Sequence, residues 1–365
     1  MQLKTDKQIL LNALSKVARA VPSKAAQPIL ECFRILIEGK TMRIAATDGN
    51  ITLVSYSEVE GEGSACIPAK MLLDIVRVLP SCDVTVTTNE STATLDWGFG
   101  TAEIPVYPAE DYPNIDDDPK GDPTVFINSR LKDALRHTLP HTSDDEIRPA
   151  LQGVFFNSTD ERNADLVASD SHTLSIYPTS FDVAKAEPFV LHGGAAMIVK
   201  DMLEDNEDTT MVYQDDNSIS LLLSSRLLVR VRKVVGKFPD YTKIIPQQSQ
   251  TTVCVDRRTF LAALQRMGVF TDRASKSIKL DITDSGILIE AQDLGFNVSA
   301  REKVQYDSLT GDTLTIGFRA DLLIKTVGGF DGDTLTMQFN GARKAVLMQS
   351  DDDPSKTIVM PVMVK

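Results

Sequence analysis

An echo that returns about every 122 residues constrains this chain more than any other feature. Ala46-Thr47-Asp48, Ala168-Ser169-Asp170 and Ala291-Gln292-Asp293 each precede a short alternating apolar run: Ile51 and Leu53, Leu174 and Ile176, Phe296 and Val298. The aspartates lie 122 and 123 residues apart in a chain of 365. Other landmarks keep the same phase. Ala13-Leu14, Ala134-Leu135 and Ala263-Leu264 sit in helical patterns that each carry a basic residue or histidine two positions later (Lys16, His137, Arg266). A second helical pattern follows in each unit, at 68–80, 193–205 and 318–330. Such periodicity means one structural unit used three times, and each copy is long enough to bury a core of its own.

Between the helical windows the sequence alternates with period two, as in MRIAAT (42–47), DVTVTT (83–88), SISLLLS (218–224), SIKLDIT (277–283) and DTLTMQF (333–339), with Asp, Asn and Gly between runs. That is the antiparallel hairpin pattern. Each unit should hold two helices and about eight strands in two sheets, an α+β layer. The turn-rich stretches 114–123 and 245–250 place the boundaries at 1–121, 122–247 and 248–365.

The net charge of −13 argues as a bulk property against nucleic acid. Its distribution argues the other way: the windows 6–21, 68–79, 128–139, 193–204, 256–273 and 319–330 together carry +7, which leaves −20 for the rest. If the helices share a face, that face is basic on an acidic body. Aromatics do not interleave with its lysines and arginines, so diffuse phosphate contact fits better than base stacking. The acidic runs Asp116 to Asp118 and Asp351 to Asp353 read as solvated loop charge, since the spacing and glycine of a calcium loop are missing.

Catalytic patterns do not form. His137 and His141 are four apart, but Pro140 interrupts the helix that would present both. Ser169, Asp170 and His172 are adjacent on one turn rather than convergent from separate segments, which a triad requires. The four cysteines have neither metal spacing nor a disulfide framework and read as buried thiols of a reducing compartment, with the cytoplasm as the expected address. No apolar run reaches membrane-spanning length, and no cofactor or metal is expected. Two rival readings are a β-rich repeat protein for adhesion or carbohydrate binding, and an enzyme using Asp170, His172 and Lys243. The first lacks exposed aromatic platforms, with a single Trp97; the second reads more simply as a polar rim.

Seven stretches carry a resemblance: QPILECFRILIE (27–38), PAKMLLDIVRVLP (68–80), YPAEDYPNI (107–115), LQGVFFN (151–157), LVASDSHTLSIY (166–177), VVGKFPDYTKIIP (234–246) and IVMPV (358–362). Over essentially its whole length the chain resembles the bacterial DNA polymerase III beta subunit, the replicative sliding clamp. The resemblance implies three tandem clamp-type domains, each of two helices and two antiparallel sheets, in a head-to-tail homodimer whose six domains form a ring with the helices lining the hole. It implies a non-catalytic processivity factor that encircles double-stranded DNA without sequence preference. The partners would be the polymerase III alpha subunit, the clamp loader, and other polymerases and repair proteins, each through a short clamp-binding peptide. By position, the peptide site would comprise Leu151, Ser169, His172, Thr173, Leu174, Pro239, Lys243, Ile244, Val359, Met360, Pro361 and Val362. DNA contacts would come from Lys24, Arg77, Arg136, Arg148, Lys200 and Arg266, and the dimer seam from Ile104 on one side and Val269 and Phe270 on the other. The chain departs from the family pattern at Ser171, Thr173, Lys243, Arg319 and Leu322, and at Pro149 and Ala150 on the DNA side.

Overall fold

The computed structural model describes residues 1–182, 187–224 and 226–364. The six expected helices are α1 (Lys7–Val17), α2 (Ala69–Val78), α3 (Asn128–Thr138), α4 (Gly193–Met202), α5 (Arg257–Gly268) and α6 (Ala320–Gly329). Two of them stop well short of their windows, α1 at Val17 and α5 at Gly268. The chain after α1 tightens into a 3-10 turn, Ala18–Ala20, before Pro22 removes a donor. Helix α5 ends at Gly268, after which Val269 N and Phe270 N donate to the Arg266 and Met267 carbonyls three residues back, a tightened last turn. Asp6 and Asp256 cap α1 and α5, accepting from Gln8 N at 2.7 Å and Thr259 N at 2.8 Å. Apolar positions three and four apart, such as Leu10, Ala13, Leu14 and Val17 on α1, are buried.

The repeated aspartate has one structural cause. Each follows or ends a strand and uses Oδ1 to hold two backbone N–H groups of the turn that reverses the chain. Asp48 accepts from Asn50 and Ile51 at 2.8 and 2.7 Å, Asp170 from His172 and Thr173 at 2.9 and 2.6 Å, and Asp293 from Gly295 and Phe296 at 2.8 and 3.1 Å. A short carboxylate is well suited to bonding backbone two or three residues ahead.

All strand pairing is antiparallel among the described residues, and the contacts divide the chain into two compact units. The first is built chiefly from Met1–Lys132 and Gly194–Lys233 and contains a twelve-stranded sheet. That sheet runs from the edge strand Thr101–Pro105 to Thr124–Ile127 and joins two repeats where Ile51–Glu58 pairs with Leu227–Arg232. Glu60–Pro68 serves two neighbours: residues 60–62 pair with Gln2–Lys4 and residues 63–68 with Cys32–Ile37. Gly63, at φ 96°, takes the bend that an L side chain would resist. The second unit, Asp133–Ser180, Glu187–Gly193 and the chain from Val234 onward, holds a nine-stranded sheet and a four-stranded one. Thr173–Ser180 pairs there with Asp353–Val359, the counterpart of the join in the first unit. Two sheets per repeat was the expectation; in the structure the middle repeat divides its strands, so its sheets continue those of its neighbours.

The acidic runs need a correction. Asp118, Asp351 and Asp352 are exposed, but Asp117 accepts from the Tyr56 hydroxyl at 3.3 Å and Asp116 pairs with Arg230 at 3.0 Å. Asp353 is buried and accepts from Asp331 N and Ser355 N at 2.7 and 2.8 Å and bonds His137 Nε2 at 3.0 Å. All four cysteines are free. Burial pushes the Cys32 thiol up to about 11 and Cys66 up to about 12, which keeps both protonated and unreactive. Among the described residues no helix is long and apolar enough to cross a membrane.

Candidate peptide site, basic residues and edges

The second unit gathers most of the expected peptide site. Leu151 and Leu174 belong to one apolar cluster with Phe238, Tyr241 and Ile358. Phe155 stacks on Phe238 with centroids 4.7 Å apart, and the Tyr241 hydroxyl donates to Asp165 Oδ2 at 2.7 Å. These contacts fix the base of the segment that carries Pro239, Lys243 and Ile244. Asp240 accepts from Thr242 N and starts the 3-10 turn Tyr241–Ile244, which leaves Pro239, Lys243 and Ile244 exposed. Among the described residues Lys243 pairs only with Asp240, at 3.0 Å on the surface.

The turn 169–173 is held from four directions. Ser169 Oγ donates to the Thr173 carbonyl at 2.8 Å, and Ser171, at φ 74°, donates its N–H to Ser169 Oγ. Asp170 Oδ2 accepts from Lys325 Nζ at 3.0 Å; Lys325 also donates to the Pro140 carbonyl at 2.9 Å. Burial would raise the Asp170 carboxyl, but the Thr173 N–H and the Lys325 ammonium outweigh it and the net shift is downward. The tail then locks onto the turn: Met360 N donates to the His172 carbonyl at 2.8 Å, and Val362 N to the Gly317 carbonyl at 2.9 Å. Residues 360–362 are therefore docked on both sheets of this unit.

Four members of the expected site serve as foundations instead, beginning with Leu151 and Leu174, which are buried at 6% and 5% exposure. Val359 is fully buried in the core of the second unit. Thr173 is buried, opposite Val359, with its hydroxyl on His141 Nδ1 at 2.8 Å. Burial, with the Lys325 charge, lowers His141 to about 3 and keeps it neutral. That leaves His172, Pro239, Lys243, Ile244 and Met360 exposed, with Pro361 and Val362 half-buried. Gly317 escaped sequence reasoning. Its missing side chain makes room for the tail, since a Cβ there would lie 2.7 Å from the Val362 carbonyl oxygen and collide with Val364. Nothing in the alternating run 312–318 signals this. Lys325 lies in the basic helical window 319–330, and nothing local points to its partner Asp170, 155 residues away.

The basic candidates are largely compensated. Arg77 lies 3.6 Å from Asp74, Lys200 3.2 Å from Asp201, and Arg148 2.9 Å from Asp145. Arg136 bonds Asp331 and Asp133, and Arg266 grips Glu302 with Nε and a terminal nitrogen. Only Lys24 of the six has no ion pair among the described residues. Exposed pairs of this kind are worth roughly 0–1 kcal/mol, so a phosphate can displace the carboxylate at little cost and with little net gain.

At the expected seam, Ile104 needs correction: at 5% exposure its side chain is spent inside its own unit. What strand Thr101–Pro105 offers is an unpaired sheet edge with Thr101, Glu103 and Pro105 exposed. Val269 is 79% exposed and Phe270 37%. The sheet edge Val298–Val304 of the second unit adds exposed Leu294, Phe296 and Val298, with Arg273 5.5 Å over the Phe296 ring. An open edge flanked by large apolar side chains invites pairing with another chain.

Two family models match, both of one subunit: the N-terminal domain of the DNA polymerase III beta subunit over residues 1–116 and its C-terminal domain over 242–363. The chain is 27% identical to the beta sliding clamp of Synechococcus elongatus, with 100% of each chain covered. It is 23% identical to that of Bacillus subtilis, covering 100% of this chain and 99% of the relative. The crystal structure of the Bacillus subtilis DNA polymerase sliding clamp matches over 100% of both chains at a TM-score of 0.94 and 22% identity. That of the Pseudomonas aeruginosa DnaN sliding clamp bound to griselimycin matches over 100% of both at 0.93 and 21%. The chain belongs to the DNA polymerase III beta subunit family.

Proposed function

We infer that this protein is a DNA sliding clamp, a non-catalytic processivity subunit that tethers the replicative polymerase to duplex DNA. The observation that carries the reading is the full-length agreement with beta sliding clamps in both sequence and fold. Two copies would close head to tail through the edge Thr101–Pro105 of one chain and the apolar edge around Val269, Phe270, Phe296 and Val298 of the other. Helical basic residues, Arg77, Arg136, Lys200 and Arg266 among them, with the loop residues Lys24 and Arg148, would meet the phosphates. Because most carry a carboxylate already, the contact is weak and exchangeable, which suits sliding. The cytoplasm, where the chromosome is replicated, is the proposed compartment.

Polymerase, clamp loader and repair proteins would dock by a short peptide on the exposed Pro239, Ile244 and Met360, which Leu151 and Leu174 support from below, with His172 and Lys243 at the rim. An apolar surface from several segments buries an aliphatic or aromatic anchor, and polar rim groups orient the peptide backbone. Removal of residues 361–365 tests this. The cut must spare Ile358 and Val359, which are core. Polymerase stimulation should fall at least tenfold (about 1.4 kcal/mol of binding) while the dimer and the melting temperature persist. Unchanged stimulation would remove the tail from the site.

A further inference from the structure

The threefold repeat also duplicates the frame of the peptide site, and the copy in the first unit borders an open cleft of about 800 Å³. The correspondence is one of hydrogen bonds. Thr47 Oγ1 donates to the Ile51 carbonyl at 2.9 Å, as Ser169 Oγ does to Thr173 at 2.8 Å. Arg232 N donates to the Asn50 carbonyl at 3.1 Å, as Met360 N does to His172 at 2.8 Å. Val231 faces Ile51 across the strand pair as Val359 faces Thr173. A 3-10 turn opening with proline delivers Leu30 here and Leu151 there.

The lining differs from its counterpart in charge. Arg230 is already engaged, at 3.0 Å from Asp116 and 2.8 Å from Asp215. Arg232, in the place of Met360, is exposed and has no ion pair among the described residues. Leu30 and Ile115 are half-buried beside it and give an apolar seat. Asp116 and Asp215 share Arg230, so Arg232 is the lining cation left to meet a single carboxylate, while the surplus of aspartates, Asp216 included, repels a backbone of many phosphates.

We propose that this cleft is a second peptide site, which takes a short extended segment of a partner protein carrying an aliphatic side chain next to a single carboxylate. The aliphatic group sits on Leu30 and Ile115, and the carboxylate meets Arg232. The form of the occupant rests on the peptide reading of the second unit, and the test separates the two. The full-length protein, methyl-labelled at isoleucine and leucine, is titrated with acetyl-Gly-Asp-Leu-Leu-Gly-amide and followed by NMR. Saturable shifts at Leu30 and Ile115 are expected. Arg232→Glu, a surface change that should leave the melting temperature unaltered, should weaken them about fivefold, as should Asn in place of Asp in the probe. No saturable shift at Leu30 and Ile115 at millimolar peptide, or equal affinity in the variant, overturns the proposal. Shifts at Ile244 alone overturn it while leaving the other site standing; shifts at Leu30 and Ile115 without Ile244 support it and count against the other site.

Discussion

Replacing Asp353 by alanine should cost about 3 kcal/mol, and the cost should depend on pH. The carboxylate is buried and takes three bonds: from Asp331 N at 2.7 Å, from Ser355 N at 2.8 Å and with His137 Nε2 at 3.0 Å. Each donor left unmet costs about 1 kcal/mol or more. Both nitrogens of His137 face acceptors, since Nδ1 lies 2.8 Å from the Asp133 carbonyl, so the geometry requires the imidazolium. Burial opposes that charge, but the Asp353 carboxylate and the Asp133 carbonyl outweigh it, and the histidine is raised above its ordinary value. Burial likewise opposes the Asp353 anion; the His137 and Ser355 bonds prevail and hold it at about 2. Arg136 and Asp331 flank the pair, and the Tyr177 ring lies 4.9 Å from the imidazole.

The two shifts describe one interaction and set one window. A depressed carboxyl stabilises above its unfolded value near 3.8 and loses that contribution, about 2 kcal/mol, as pH falls toward 2. A raised histidine stabilises fully below about 6.5 and loses its contribution as pH rises through its folded value. The variant should therefore differ most from the parent between about pH 4 and 6.5. Urea unfolding at pH 3, 5.5 and 8.5, with hydrogen exchange of the Asp331 and Ser355 amides, reads it directly. A cost below about 1 kcal/mol at pH 5.5, or one that is the same at pH 5.5 and 8.5, would refute the reasoning.

Two further perturbations address function. Gly317→Ala puts a methyl against the Val362 carbonyl oxygen and Val364, so the tail should lift, with a loss of about 1–2 kcal/mol of docking; protease sensitivity confined to residues after Met360 is the expected readout, and an unaltered tail would show that the space is not needed. Glutamate at both Val269 and Phe270 places two charges on the exposed apolar edge and should weaken dimerisation about thirtyfold or more by sedimentation; an unchanged dimer would move the seam elsewhere.

The sequence made the local structure legible because the repeat and its period-two runs encode it within short stretches. DVTVTT and SIKLDIT form strands over those same residues, 83–88 and 277–283. The Asp48, Asp170 and Asp293 turns are local chemistry, and their repetition gave the threefold reading. What was hidden depends on partners far apart in the chain. Asp353 looked like loop charge because His137 is 216 residues away. Ile104 looked like a seam residue because the resemblance matched a position, not the direction of a side chain. The helical windows carry an excess of positive charge, yet Asp331, Asp201 and Glu302 stand beside Arg136, Lys200 and Arg266 and offset part of it.

Topological retention on DNA probes the clamp reading most directly. Protein loaded onto a nicked circular duplex should stay bound through gel filtration at high salt and leave when the circle is cut once, because a closed ring slides off an end while ionic contacts are screened. Survival of the complex after linearisation, or failure of the loaded circle to retain protein at all, would mean that this chain does not hold DNA by enclosing it.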